Sequence, residues 1–207
     1  APALNAVFDT LNVESGSSIT LTGSSTASLT FKGDILSAGT GGVSLTPGTG
    51  GIQLNGGKLQ TIAGGGSGAV TFGGSATIAV GTTLAVSRTL TFSTGGMTVN
   101  GAFQFNPSGA ISGGSTWIYG AGATLVFAHT SGSFGVSSSS TFWPAVSGPT
   151  NVTVSSAGIT MNAGATRTIT GSLITSGPIT GANLLTLPGT FQINSGGSVA
   201  AAPIYSG

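Results

Sequence analysis

The chain has 207 residues but only four Lys or Arg and three Asp or Glu, and its formal net charge is +1. An ordinary domain is about one quarter charged, and so few charges leave little repulsion to oppose association. Four scattered basic residues make no phosphate-binding surface, so nucleic acid is not an expected partner. With no Cys and one His, we also expect no disulfide, no metal site and no cofactor.

The hydrophobic content excludes a disordered chain and the short apolar runs exclude a membrane helix. Hydrophobic residues make up 39% of the sequence and include ten Phe, whereas disordered chains are poor in such residues. Gly, Ser or Thr interrupts every apolar run long before the roughly 18 residues that a membrane span needs. We therefore expect a folded chain without a membrane-spanning segment.

The N-terminal region combines a small, neutral opening with a strand pattern. Residues 1–6 resemble the mature N-terminus that a signal peptidase leaves, which favours a location outside the cell or on its surface. Asn5–Glu14 then carries apolar residues with strand character, and Val7, Phe8, Leu11 and Val13 are its main apolar positions. This segment is the first predicted strand.

The central part of the chain repeats a triplet in which two apolar residues flank a variable one. Residues i and i+2 of a strand share one face, so each triplet buries two side chains and exposes the middle one. Gly-rich clusters separate the triplets and suit sharp corners. The predicted triplets are Ile52–Leu54, Val70–Phe72, Ile78–Val80, Leu84–Val86, Leu90–Phe92, Met97–Val99 and Phe103–Phe105.

Residues 114–149 break this rhythm, and the pattern then resumes at Val152–Val154, Ile159–Met161, Leu185–Leu187 and Phe191–Ile193. The irregular stretch is an expected loop or insertion. It contains the aromatic residues Trp117, Tyr119, Phe142 and Trp143, which are candidates for stacking on a glycan or anchoring a partner. The alternative is that these four side chains fill a bulge of the core.

The pattern predicts an all-β fold, a single parallel β-solenoid over residues 1–207. Three strands of this spacing would make a coil of roughly 20–25 residues, and stacked coils would share one core. The alternative is a β-sandwich resembling a pilin, in which Asn5–Glu14 is a donor strand that inserts into a neighbouring subunit.

Three segments resemble units of the giant repetitive surface proteins of Gram-negative bacteria: Val7–Val13, Asn183–Leu187 and Gly189–Val199. This class includes autotransporter passengers, haemagglutinin-like filaments and the long adhesins of gliding bacteria. The resemblance implies a secreted solenoid, displayed at the cell surface, with adhesive or structural work and no catalytic residue to transfer. Those proteins are longer and richer in Asp and Asn, so the chain is interpreted either as a fragment of one or as a short subunit that polymerises.

Catalysis is not expected from these residues. His129 has no acidic residue nearby in sequence, and Asp9, Glu14 and Asp34 are better explained as surface charges than as the paired carboxyl groups of a glycosidase. Three functions remain: a filament or stalk subunit, a carbohydrate-binding solenoid, and an ice-binding solenoid. The last rests on outward Thr in Thr20–Thr22, Thr89–Thr91 and Thr168–Thr170.

The filament hypothesis places contacts between copies of the chain at the two end coils. Open strand edges invite pairing with another strand, and neither terminal segment has a helix or a charge cluster to block it. The predicted homopolymer interface joins Val7, Phe8, Leu11 and Val13 of one copy to Val199, Ile204 and Tyr205 of the next.

Overall fold

The computed structural model describes residues 5–40, 42–115 and 117–206. These residues form 27 short strands and one 3-10 helix, Ala182–Leu184, with no α-helix in the described ranges. Every strand pair is parallel, and the two strands of a pair occupy the same place in successive coils. The parallel β-solenoid is therefore confirmed, and the sandwich alternative is wrong because it requires antiparallel strands in two packed sheets.

Three faces run along the solenoid, and the strands are numbered in chain order. The second face is one continuous sheet of nine strands, which means that nine coils stack without a break there. Its strands are β2 (Leu11–Val13), β5 (Ile35–Ser37), β8 (Leu59–Ala63), β11 (Thr83–Val86), β14 (Ala102–Phe105), β17 (Thr124–Phe127), β19 (Asn151–Val154), β22 (Ser172–Thr175) and β25 (Thr190–Ile193).

The first face consists of two sheets, one of six strands and one of three. The six are β1 (Ala6–Phe8), β4 (Ser28–Phe31), β7 (Gly51–Leu54), β10 (Ala76–Ile78), β13 (Met97–Val99) and β16 (Ile118–Tyr119). The three are β21 (Arg167–Thr168), β24 (Leu185–Leu187) and β27 (Ile204–Tyr205).

The third face is also divided, into sheets of five and four strands. The five are β3 (Ser18–Thr22), β6 (Gly42–Thr46), β9 (Val70–Phe72), β12 (Thr89–Phe92) and β15 (Ala110–Gly113). The four are β18 (Phe134–Val136), β20 (Ile159–Met161), β23 (Pro178–Thr180) and β26 (Ser198–Val199). The first and third faces therefore both change sheet in the same region, around the fifth to seventh coils.

The coils differ in length because their corners differ. Register partners in adjacent coils lie from 18 residues apart, for Arg167 and Leu185, to 27 residues apart, for Ile35 and Ile62. Most strands alternate buried and partly exposed residues, as β14 does with Ala102 and Gln104 partly exposed and Phe103 and Phe105 buried. The buried positions of all three faces meet in one continuous hydrophobic core.

Glycine makes the tight corner between the first and second faces of the fourth coil. Gly81 has a φ of 77°, and the Thr82 amide donates to the Ala79 carbonyl at 3.1 Å. Val80 lies in this turn with 79% of its surface exposed. The predicted strand Ile78–Val80 is therefore shifted: β10 ends at Ile78, because the turn begins at Ala79.

The irregular stretch is narrower than the predicted 114–149. β16, β17 and β18 all lie inside that range and belong to regular sheets. The longest part of it without a strand is residues 137–150, which replace a strand of the first face in the seventh coil. The Trp117 amide, just before β16, donates to the Thr141 carbonyl, and the Tyr119 amide in β16 donates to the Ser147 carbonyl.

Candidate functional sites: a serine-lined cleft and two open end coils

A cleft of about 370 Å³ opens where the first and third faces are interrupted. One side is the end of β15 and its corner, and the other is the segment that follows β18. The lining residues are Ile111, Gly113, Gly114, Ser137, Ser139, Ser140, Thr141 and Phe142. No ionisable side chain is among them. The segment 137–142, called here the serine segment, supplies most of the polar groups.

The serine hydroxyls form a small cluster. The Ser137 hydroxyl lies 3.0 Å from that of Ser139 and 3.2 Å from that of Ser140, and the Ser140 hydroxyl also accepts from the Ser137 amide. Ser139 is exposed, whereas Ser137 and Ser140 are half-buried. Each hydroxyl can donate once and accept twice, so the cluster retains capacity for a ligand.

Buried groups from neighbouring coils hold the serine segment from behind. The Arg167 guanidinium donates to the Ser137 carbonyl at 2.7 Å and to the Ser138 carbonyl at 3.4 Å. The Tyr119 hydroxyl donates to the Phe142 carbonyl at 2.6 Å. Both side chains are buried. Burial lowers the pKa of Arg167 and raises the pKa of Tyr119 well above its usual value, so Tyr119 remains a hydrogen-bond donor.

The four aromatic candidates from the sequence lie in the core. Trp117 and Trp143 are fully buried, and Tyr119 and Phe142 each expose only 7%. Trp117 packs edge-on against Phe103, with ring centroids 4.7 Å apart. Their burial matches the alternative interpretation, in which the four side chains fill a bulge of the core, rather than stacking on a glycan or anchoring a partner. Only Phe142 reaches a cleft, as part of its floor.

Neither the run Ser137–Ser140 nor Arg167 is among the site residues predicted from the sequence. The run itself was a usable signal, because four consecutive serines at a break in the strand rhythm indicate an exposed polar loop. Nothing local indicated that Arg167 would be buried against that loop. The strand register pairs Arg167 with the buried Leu185, and this pairing is what directs the Arg167 side chain into the core.

His129 lies against aromatic rings rather than carboxylates. Its ring centroid is 4.8 Å from that of Phe134 and 6.5 Å from that of Phe105, and its Nδ1 is buried with no partner. Burial lowers the pKa of His129. The rings of Phe105 and Phe134 therefore give this side chain apolar surroundings.

We expect His129 to make the stability of the protein depend on pH. Its pKa is lower in the folded chain than the usual value of 6.5, so the unfolded chain takes up the proton first as pH falls, and stability decreases below that value. Urea unfolding at about pH 7.5 and about pH 5.5 should show a lower midpoint at the acid end. His129→Gln should reduce this difference, and an unchanged difference would assign it to other groups.

In the described ranges, no group of three or more His, Asp or Glu residues is arranged to hold a metal ion. No helix in the same ranges is long and apolar enough to cross a membrane.

The outward residues of the third face align into a rank of hydroxyls. Register pairs connect them from coil to coil in the order Thr20, Ser44, Thr71, Thr91, Ser112. Thr168 lies on the first face instead, so the three Thr-X-Thr motifs of the sequence do not share one surface. The rank mixes Ser with Thr, and ice binding stays a prediction.

The predicted interface residues lie in the first and last described coils, where the sheets have open edges. Each of β1, β2, β3, β25, β26 and β27 is the last strand of its sheet. Val7, Ile204 and Tyr205 are exposed, Phe8 and Val199 are half-buried, and Leu11 and Val13 are buried. The structure therefore brings these residues to opposite ends of one molecule and not into contact within it.

At the end coils, side chains that point towards the core axis are exposed to solvent. Tyr205 is the register partner of the buried Leu187, yet 62% of its surface is exposed. Ile193 is the partner of the buried Thr175 and is 48% exposed. At the opposite end, Ala6, Phe8, Leu21 and Leu29 line an open cavity of about 380 Å³. A further coil at either end would cover these inward side chains.

No family model, curated protein or solved structure matches this chain.

Proposed function

We propose that this solenoid is a structural unit of an extracellular filament or adhesin stalk, in which copies of the chain join end to end through strand pairing. The observation that supports this best is the open cross-section of the core at both end coils. Tyr205 and Ile193 of the last described coil are register partners of buried residues and yet are exposed, and the cavity beside Phe8 exposes apolar side chains of the first described coils.

Strand pairing would satisfy the edge groups of the end coils. Each end presents three parallel strands whose outer N–H and C=O groups face outward. Coils within the molecule stack by the same parallel pairing, so a second copy would extend a ladder that nine coils already build. A contact of this kind joins two different surfaces and makes an open filament unless its rotation closes a ring.

The absence of charged side chains from the last coils favours such a contact. After Arg167 the sequence contains no Asp, Glu, Lys or Arg, so the last coils carry no charge that would oppose a neighbour. The junction would bury apolar side chains at about 25 cal/mol for each Å² removed from water. Charged side chains at the junction would instead have to be desolvated, which would oppose the contact.

We expect Tyr205→Lys to prevent assembly without unfolding the chain. Tyr205 is 62% exposed, so a lysine fits the isolated molecule but would be buried in the junction. Sedimentation velocity and negative-stain microscopy should show filaments for the unmodified chain and monomers for the variant. The loss of filaments should be nearly complete, because burying an unpaired ammonium group in the junction is costly.

Val80→Lys is the matched control. Val80 is 79% exposed but lies at a side corner of the fourth coil, far in sequence from either end. It should leave assembly unchanged. The proposal fails if the unmodified chain remains monomeric at high concentration, or if Val80→Lys blocks assembly as well as Tyr205→Lys does.

A further inference from the structure

We propose that the serine-lined cleft is a binding site for a neutral saccharide. The cleft lies on the side of the solenoid, away from the end coils, and this inference does not rest on filament formation. It assigns a recognition function to the one region, among the described residues, where both the first and the third face change sheet.

The lining has the mixed character that an uncharged sugar requires. Ile111 and Phe142 give an apolar floor, and Ser139, Ser140 and Thr141 give hydroxyl donors and acceptors. Sugar rings combine apolar C–H faces with hydroxyl rims, and small-molecule sites commonly pair an apolar surface with a few placed polar groups. An acidic ligand would find no cation in the lining, and a metal ion would find no carboxylate there.

The serine segment is held in place before any ligand arrives. The guanidinium of Arg167 fixes the Ser137 and Ser138 carbonyls, the Tyr119 hydroxyl fixes the Phe142 carbonyl, and the Trp117 amide fixes the Thr141 carbonyl. A rigid polar segment loses little entropy on binding, which favours affinity for weakly held ligands such as sugars.

The burial of the Arg167 side chain also points to a role for the serine segment. The side chain is only 4% exposed, and its nearest described partners are backbone carbonyls. A buried cation without a carboxylate is costly in a structural core. A function for the serine segment would explain this cost, because the buried guanidinium fixes the position of that segment.

The site has room for more than one sugar unit. A second depression of about 280 Å³ lies beside the cleft and shares Ser139, Ser140 and Thr141 with it. Its remaining wall includes Pro144, Ala145 and Val146. The two depressions flank the serine segment, so we expect an oligosaccharide or polysaccharide that lies across it.

Amide chemical shifts measured during titration test this site. The probes are cellohexaose, chitohexaose and maltohexaose, each to about 10 mM, because weak sugar binding lies near the millimolar range. We expect at least one probe to cause saturable shifts confined to residues 111–115 and 137–146. Hexagalacturonate, which is charged, should cause none. The proposal is overturned if no neutral probe gives saturable shifts there, or if hexagalacturonate binds as well.

Two variants make the assignment specific. Ser139→Trp fills the cleft from an exposed position, and Thr141→Val removes a hydroxyl while keeping the side-chain shape; each should weaken binding by about tenfold or more. Ser25→Trp is the control, since Ser25 is also exposed but lies between β3 and β4, away from the cleft. Circular dichroism checks folding. Equal weakening by Ser25→Trp, or none by either cleft variant, would also overturn the proposal.

Discussion

Phe105→Ala should lower the free energy of unfolding by about 3–5 kcal/mol, the range for deletion of a buried ring. Phe105 has no exposed surface and is at the centre of an aromatic cluster. Its ring centroid lies 4.5 Å from that of Phe134, 4.8 Å from that of Phe142 and 5.7 Å from that of Phe127. The alanine would leave a cavity between coils that those rings cannot refill without moving.

Urea unfolding with a nearest-neighbour analysis measures this effect, because strand pairing joins each coil to the coils beside it. Gln104→Ala is the control within the same strand. Gln104 points outward and donates to the Asn106 side chain at 2.6 Å, so its loss should cost about 1 kcal/mol. Equal losses for Phe105→Ala and Gln104→Ala would show that the ring cluster does not support the core.

The fold could be predicted because each strand carries its own signal. In β14, Phe103 and Phe105 alternate with Gln104, and this period of two fixes which side chains face the core. Corners could be placed because Gly81 supplies a positive φ that other residues rarely adopt. The exact strand ends could not be predicted. Val80 shows why: an apolar residue at a corner continues the triplet pattern without belonging to the strand.

The serine cleft could not be predicted because it depends on register between distant segments. Arg167 and Ser137 are 30 positions apart, and only the stacking of coils brings them together. The role of the aromatic residues stayed open for the same reason. Trp117 and Trp143 occur where the strand rhythm breaks, and the sequence alone does not decide between a binding site and a filled core; in the structure both are buried in the core.

The Arg167→Ala variant should be about 3 kcal/mol less stable than the unmodified chain, since hydrogen bonds to a charged group are each worth about 1.5–3 kcal/mol and part of this is returned when the buried charge is removed. Three carbonyls would lose their donor: Thr166 at 2.8 Å, Ser137 at 2.7 Å and Ser138 at 3.4 Å. The lost side chain would also leave space beneath the serine segment. Urea unfolding measures the total loss.

Hydrogen exchange should locate the Arg167→Ala effect at residues 137–142 and in the adjoining coil, because the guanidinium is what joins them. Arg88→Ala is the matched control: Arg88 also donates to backbone carbonyls, those of Ser37, Gly66 and Gly68, but it is half-buried. Water can replace a donor at that position, so the Arg88 variant should lose less stability. If Arg88→Ala costs as much, or if the serine segment keeps its protection in Arg167→Ala, then burial of Arg167 is not what fixes the segment, and the rigid site proposed there loses its support.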